Sequence, residues 1–208
     1  MIIYDISMTI EKGMGVYKNK EEKRPVIKLE RGIPRDSINE SSMYMNLHTG
    51  THIDAPYHVD NNGATIESVD LNKLITKCRV LELTEVVDKI TKEDLICKEI
   101  MPGEFILLKT KNSYVDEFEP EFVYVEKSGA EYLVEKGIIG VAIDSFGIER
   151  AQANHETHKT LFKNGITIIE GVRLKDIEAG EYFMCALPLK IKGVDGAPAR
   201  IVLIKDLV

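Results

Sequence analysis

The sequence predicts an α/β fold. Short strands rich in Val, Ile and aromatic residues recur along the whole chain, and segments with helix-capping patterns lie between some of them. No internal repeat, low-complexity tract or linker divides the chain, and 208 residues fit one ample domain, taken here as 1–208. Mixed strands with interleaved helices imply a mixed sheet or barrel-like core with peripheral helices.

The strands are read in order as Ile2–Ile6, Val26–Glu30, Met43–His48, Val80–Leu83, Phe105–Thr110, Phe122–Val125, Ile139–Asp144, Ile166–Ile169, Tyr182–Pro188 and Arg200–Ile204. Many are β-branched or aromatic and are bounded by Gly, Pro, Asn or Asp. Three helices are expected between them. Thr91-Lys92-Glu93-Asp94 opens the first with an N-cap pattern. Ser128 and Glu131 have the spacing of a capping box for the second, which Gly137 stops. The third covers His155 to Lys163 and ends at Gly165.

Composition removes several functions. A net charge of -7 with no Lys/Arg block argues against binding nucleic acid or an anionic membrane. The longer apolar runs, such as Ile138 to Ile143, are strand-sized, so no transmembrane helix is expected. The N-terminus carries Asp5 and no basic-then-apolar signal pattern, and so reads as mature, cytoplasmic sequence. Cys78, Cys97 and Cys185 are far apart and odd in number, which suggests buried free thiols in a reducing compartment. Any metal must then be held by His and carboxylate.

The densest chemistry lies between His48 and His58, where three of the five histidines and Asp54 fall within eleven residues. His48, His52, Asp54 and His58 all occupy even positions and would point to one side of an extended chain. Imidazole and carboxylate converging on one point suit Zn²⁺, Mn²⁺ or Fe²⁺. Gly50, Pro56 and the β-branched Thr49, Thr51 and Ile53 disfavour a helix, so the segment reads as a strand running into a tight loop. The other two histidines, His155 and His158, sit at the start of the third helix. Gly165 then releases the chain into a strand ending at Glu170-Gly171, where His158 and Glu170 could meet. A helix-start carboxylate beside two surface histidines is the plainer reading of that second cluster taken alone.

The segment His48-Thr49-Gly50-Thr51-His52-Ile53-Asp54-Ala55-Pro56-Tyr57-His58 resembles the HxGTHxDxPxH signature of the cyclase family of metal-dependent hydrolases, which includes bacterial kynurenine formamidase and isatin hydrolase. Every fixed position is present. His158 precedes Glu170 by twelve residues within an Ile-Ile-Glu-Gly strand end, as in that family, and Asp5-Ile6-Ser7 and Ile143-Asp144-Ser145 extend the likeness over most of the chain. Two departures stand out. Where family members often carry a Pro-rich stretch, Gly15-Val16-Tyr17 runs into the charged Lys18 to Arg24, and Trp is absent.

The resemblance implies a swivelling β/β/α-like fold and a site for one or two divalent ions per chain, Zn²⁺ first and Mn²⁺ as the alternative. It implies that His48, His52 and Asp54 hold one metal, that His158 and Glu170 hold a second, and that Asp54 bridges them. His58 would then be the catalytic acid/base that protonates the leaving nitrogen. Gly50 would let the backbone pass close to the metals. Thr51 and Asp144 are candidates for orienting ligands by hydrogen bonds, although Asp144 could equally cap a turn. Tyr17, Tyr57 and Phe146 are the candidate substrate-binding aromatics. The expected function is kynurenine formamidase-like hydrolysis of N-formylkynurenine or a related formamide by metal-activated hydroxide. Alternatives are hydrolysis of another small cyclic amide or lactone, and a metal-binding module without catalysis. Nothing in the two clusters offers a fixed cation for a substrate carboxylate, so aromatic and aliphatic walls should set specificity. The family resemblance implies a homodimer or homotetramer, with a small-molecule amide as the other partner.

Overall fold

A computed structural model describes residues 1–206, so the last two residues of the expected 1–208 domain lie outside the described residues. Twelve strands and three α-helices follow one another as β1 (Ile2–Asp5), β2 (Val26–Arg31), β3 (Glu40–Tyr44), β4 (His52–Asp54), β5 (Ile75–Glu82), β6 (Lys89–Ile90), α1 (Lys92–Ile96), β7 (Phe105–Lys109), β8 (Tyr124–Val125), α2 (Lys127–Glu135), β9 (Gly140–Ile143), α3 (Glu156–Lys163), β10 (Thr167–Glu170), β11 (Gly180–Pro188) and β12 (Gly196–Lys205). Short 3₁₀ turns join many of them.

Seven strands close on themselves in the order β12-β11-β5-β7-β9-β10-β4 and back to β12, a mixed barrel-like sheet within one domain. The expected mixed, barrel-like core is present. β5, β7, β9 and β10 run parallel, and the remaining pairings around the barrel are antiparallel. β12 is long enough to share one edge between two neighbours. Gly196–Pro198 pairs with β4, and Val202–Lys205 pairs with β1. The hairpin of β2 and β3 stands apart as its own two-stranded sheet.

The parallel strands are nearly continuous apolar runs because both of their faces are buried. Phe105, Leu107, Ala142 and Ile169 fill the barrel, while Ile106, Leu108, Val141, Ile143 and Ile168 pack outward into a second core with Leu95, Leu133 and Leu161 of the helices. Alternation along one strand thus feeds two cores.

Several boundaries differ from the expectation. The strand predicted over Met43–His48 ends at Tyr44, since the chain turns around Leu47 and His48. Phe122–Val125 contracts to Tyr124–Val125, and Val80–Leu83 begins earlier, at Ile75. That earlier part alternates apolar and polar residues and pairs with β11, a context that propensity alone does not reveal. The cap of α2 is Glu126, not the Ser128–Glu131 box. Its carboxylate accepts from the Ser128 backbone N–H at 2.9 Å, so the helix is capped two residues earlier than predicted. At α1 the Asp94 carboxylate accepts from the Thr91 backbone N–H at 2.8 Å, so the Thr91 cap holds. Of the three free cysteines only Cys78 is buried; Cys185 is half-buried, and Cys97 is exposed because it follows the last turn of the short α1. No helix among the described residues is long and apolar enough to cross a membrane.

Candidate metal centre

β4 and β10 lie side by side at the point where the barrel closes, with His52 opposite Glu170 and Ile168 opposite Asp54. His52 and Asp54 are two residues apart on β4 and share a face, as alternation requires. Glu170 ends β10, and His158 reaches the same point from α3. All four are buried.

Their polar atoms form an alternating ring of imidazoles and carboxylates. His52 Nε2 stands 3.3 Å from Asp54 Oδ1 and 3.4 Å from Glu170 Oε2. His158 Nε2 stands 3.4 Å from Asp54 Oδ2 and 3.4 Å from Glu170 Oε1. These separations exceed the usual N–H···O distance of about 2.9–3.0 Å. Each pair has the roughly 3.3–3.4 Å spacing of two ligands held tetrahedrally about 2.0–2.1 Å from a common ion, with the two histidines facing different oxygens of each carboxylate.

Hydrogen bonding gives the same answer. His52 Nδ1 sits 2.9 Å from the Gly50 carbonyl, and since a carbonyl can only accept, Nδ1 carries the proton of the neutral ring. Nε2 then directs a lone pair at two carboxylates. His52 Nε2 and Asp54 Oδ1 have no hydrogen-bond partner although both are buried. A divalent cation fits this donor set, satisfying orphaned lone pairs that nothing else reaches. Without one, protons take its place. Burial disfavours a charged His52, but the Asp54 charge and the Asp54 and Glu170 carboxylates facing its ring outweigh it and raise the imidazole to about 10. Burial likewise opposes ionisation of Glu170, as does the neighbouring Asp54 charge, yet His158 and His52 bring it down to about 2.

His48 stands beside this ring rather than in it. Its Nδ1 contacts Asp54 Oδ1 at 2.8 Å and its Nε2 contacts Asp195 Oδ2 at 2.7 Å. It lies on a turn, not on β4, so its approach to His52 and Asp54 comes from the fold of residues 45–51 and not from strand alternation. Ligand atoms of His48, His52 and Asp54 fall within 4.8 Å of one another, as do those of Asp54, His158 and Glu170, with Asp54 common to both sets. His58, at the end of a 3₁₀ turn, has its Nδ1 3.4 Å from Asp195 Oδ2 and its ring 4.2 Å from that of His48. Burial lowers the pKa of His58.

Two glycines allow the close approach of strand and loop. Gly50 has φ +72° and Gly171 φ +71°, and a Cβ on Gly171 would lie 2.7 Å from the Gly50 carbonyl oxygen. The Thr51 hydroxyl donates to the Gly171 carbonyl at 2.6 Å and accepts from the Met8 N–H at 2.7 Å. Thr51 therefore positions the backbone beside Glu170 and touches no ligand side chain. Asp144 touches none either. Its carboxylate accepts from the backbone N–H and hydroxyl groups of both Thr110 and Ser113, all between 2.6 and 3.1 Å, and so fastens a turn.

His158 and Glu170 of the cluster line a cavity of about 250 Å³, together with Tyr17, Lys23, His48, His58 and Phe146. Tyr17 and Phe146 thus reach it as expected. Tyr57 does not line it and is 39 % exposed. Successive side chains of a 3₁₀ turn diverge by about 120°, so with His58 turned inward its neighbour faces away.

Three further residues escaped the sequence reading of the site. Asp195 precedes β12 within a Gly193-Val194-Asp195-Gly196 turn and bridges His48 and His58. Glu149 contacts His158 Nδ1 at 3.3 Å and His155 Nδ1 at 2.6 Å, and it accepts from the Thr157 N–H at 3.0 Å at the start of α3. Lys23 lines the cavity from within the charged Lys18–Arg24 run. A Gly-flanked Asp is a weak signal for Asp195, and nothing local marks Glu149 or Lys23.

This architecture has known counterparts. A solved structure titled a potential metal-dependent hydrolase with cyclase activity is 51 % identical, with a TM-score of 0.90 over 97 % of this chain and 96 % of that one. Isatin hydrolase A from Labrenzia aggregata shares the fold at 19 % identity, with a TM-score of 0.86 over 99 % of this chain and 94 % of that one. The kynurenine formamidase of Bacillus cereus is 34 % identical over 169 residues, 80 % of each chain. That of Salinibacter ruber is 29 % identical over 206 residues, covering 98 % of this chain and 97 % of the relative. Residues 4–150 match the family model described as "Putative cyclase", and with the histidine–carboxylate cluster in place at the barrel closure, the chain belongs to the cyclase family.

Proposed function

We propose that this chain is a kynurenine formamidase-like amidohydrolase that cleaves the formyl C–N bond of N-formylkynurenine or a related small formamide. The metal-dependent hydrolase class, acting on C–N bonds outside peptides, is carried by the curated kynurenine formamidase relatives and the half-identical hydrolase structure. The observation that carries the reading within the chain is the ring of His52, Asp54, His158 and Glu170, with its unpartnered His52 Nε2, which meets a compact cavity through His158 and Glu170. We assign these four as metal ligands, with His48 joining His52 and Asp54 as a fifth.

A divalent ion held there, Zn²⁺ first and Mn²⁺ second, would lower the pKa of water and polarise the scissile carbonyl. His58 supplies the proton traffic. Its pKa is lowered, so at neutral pH the imidazole is neutral and can take a proton from attacking water. It then returns that proton to the departing aniline nitrogen. Asp195 faces Nδ1 of His58 and fixes which nitrogen is free for transfer. Phe146 and Tyr17 offer an apolar wall for an aryl ring.

A homodimer or homotetramer is proposed on the strength of the β2–β3 hairpin, which exposes Val26, Ile27, Leu29, Met43 and Tyr44 in one chain. A cytoplasmic location is proposed from the three free thiols. The deciding experiment is a panel of formanilides, cyclic imides, lactones and phosphoesters tested with Zn²⁺- and Mn²⁺-loaded protein. Hydrolysis of formanilides with chelator-sensitive rates is expected. Activity confined to lactones or imides would replace the substrate, and activity confined to phosphoesters would overturn the reading.

A further inference from the structure

We infer that Lys23 is the anchor for a carboxylate on the amide substrate, so that the enzyme selects carboxylate-bearing formamides over their esters; this rests on the amidohydrolase reading above. The two histidine clusters supply no such cation. The fold does, by turning one lysine of the charged Lys18–Arg24 run into the cavity that His158 and Glu170 of the metal-ligating cluster line.

Lys23 is held there by its backbone. The Thr49 hydroxyl, next to His48, donates to the Lys23 carbonyl at 2.8 Å, and the Lys23 N–H donates to the Lys20 carbonyl at 3.0 Å. The following Arg24 guanidinium donates to the Gly13 and Met14 carbonyls at 2.8 and 2.6 Å. Only side-chain freedom is left. The ammonium rests 5.3 Å from the centroid of the Tyr17 ring, which lines the same cavity.

Its ammonium makes no ion pair among the described residues, whereas Lys20 and Arg24 pair with Glu22 and Glu21. The carboxylates at the cavity floor are engaged by histidines: Glu170 contacts His52 and His158, and Glu149 contacts His155 and His158. Burial and the nearby Lys20 charge disfavour this ammonium and outweigh the favourable Glu170 and Glu22 charges, a cost that an incoming anion would relieve. A cavity of about 250 Å³ limits the distance between that anion and the scissile amide to a short tether.

The test compares N-formyl-L-kynurenine with its methyl ester in wild type, Lys23→Met and Lys23→Arg. An ion-assisted hydrogen bond corresponds to about 10- to 100-fold, so Lys23→Met should reduce selectivity for acid over ester by that factor, chiefly through KM. Lys23→Arg should restore most of it. Equal losses on both substrates, or a loss of bound metal in Lys23→Met, would show that Lys23 merely balances the carboxylates and would overturn the inference. Binding of kynurenine against its methyl ester is titrated in parallel on the same three metal-loaded proteins. If neither formamide is cleaved yet Lys23→Met abolishes the preference for the acid, the anchor stands and the amidohydrolase reading falls. If wild type binds acid and ester alike, the anchor falls.

Discussion

The floor of the cavity and its outer wall are built in opposite ways. The ligand cluster at and beneath the floor is set on β4 and β10, paired strands buried at every position, with backbone hydrogen bonds on both flanks. The outer wall draws on residues 17–23, which continue into a hairpin whose β2 and β3 residues are all exposed and which pairs with no barrel strand. An isolated two-stranded hairpin is marginal in water, whereas a closed barrel has no free edge to fray. Groups that must meet within tenths of an ångström are on the rigid part. Groups that select a substrate, and an apolar surface suited to a second copy, are on the adaptable part. Changes in the floor should therefore abolish chemistry, and changes in the wall should redirect it.

The largest effect is expected from Asp54→Ala, which removes the carboxylate shared by both sets of candidate ligands. Metal catalysis is worth several kcal/mol, so kcat/KM should fall by on the order of 10³-fold or more, with metal content collapsing in elemental analysis. Full metal occupancy in this variant would break the assignment. His58→Ala should lower kcat by about 10²–10⁴-fold and leave metal bound. A metal-free His58→Ala protein would instead make His58 a ligand.

Glu149→Gln probes the link between floor and helix. It leaves the N-terminus of α3 with a weaker acceptor and His158 without its charged neighbour. Such supporting changes typically cost 10–100-fold in metal affinity, readable by competition with a chromogenic chelator. An unchanged affinity would show that α3 alone orients His158.

A pH scan of the chelated protein separates the floor from the rest of the fold. His52, raised from 6.5 to about 10, contributes stability that is fully present below pH 6.5 and is lost as the pH climbs toward 10. Glu170, lowered from 4.5 to about 2, contributes stability that is present above pH 4.5 and is lost as the pH falls toward 2. The Tm of metal-free protein should therefore peak between pH 4.5 and 6.5 and decline above it. Metal-loaded protein should peak at higher pH, because metal binds deprotonated imidazole. Coincident profiles would mean that the cluster does not hold the cation. The smallest effect on chemistry is expected in the wall. Ile27→Lys with Leu29→Glu in β2 should shift light scattering toward the 23.4 kDa monomer while metal content stays unchanged. An oligomer that persists would place its interface elsewhere.

The histidine signature was legible because its chemistry is local. His52 and Asp54 lie two apart on a strand, and alternation alone puts them on one face. The parallel strands were legible as apolar runs for a similar reason, since a strand covered on both sides has no polar face. The reading of His48 reached the right neighbourhood by the wrong route, because a turn and not an extended strand carries it inward. Tyr57 and Asp144 were reasonable candidates by position. A 3₁₀ turn directs Tyr57 outward, and four donors on Thr110 and Ser113 take up the Asp144 carboxylate.

What the sequence determined by itself was the class of chemistry and the type of fold, since residue identity, two-residue periodicity and turn chemistry are properties of adjacent positions. Only the tertiary structure decided which distant charges face the site. Asp195 meets His48 across 147 positions, and His158 meets Asp54 across 104. Lys23 belongs to a stretch that reads as solvated surface until the Thr49 hydroxyl ties its backbone to the histidine loop. Closing a barrel brings together residues whose separation along the chain carries no periodic trace, so the partners of a ligand, and the cation above it, emerge only once the strands are paired.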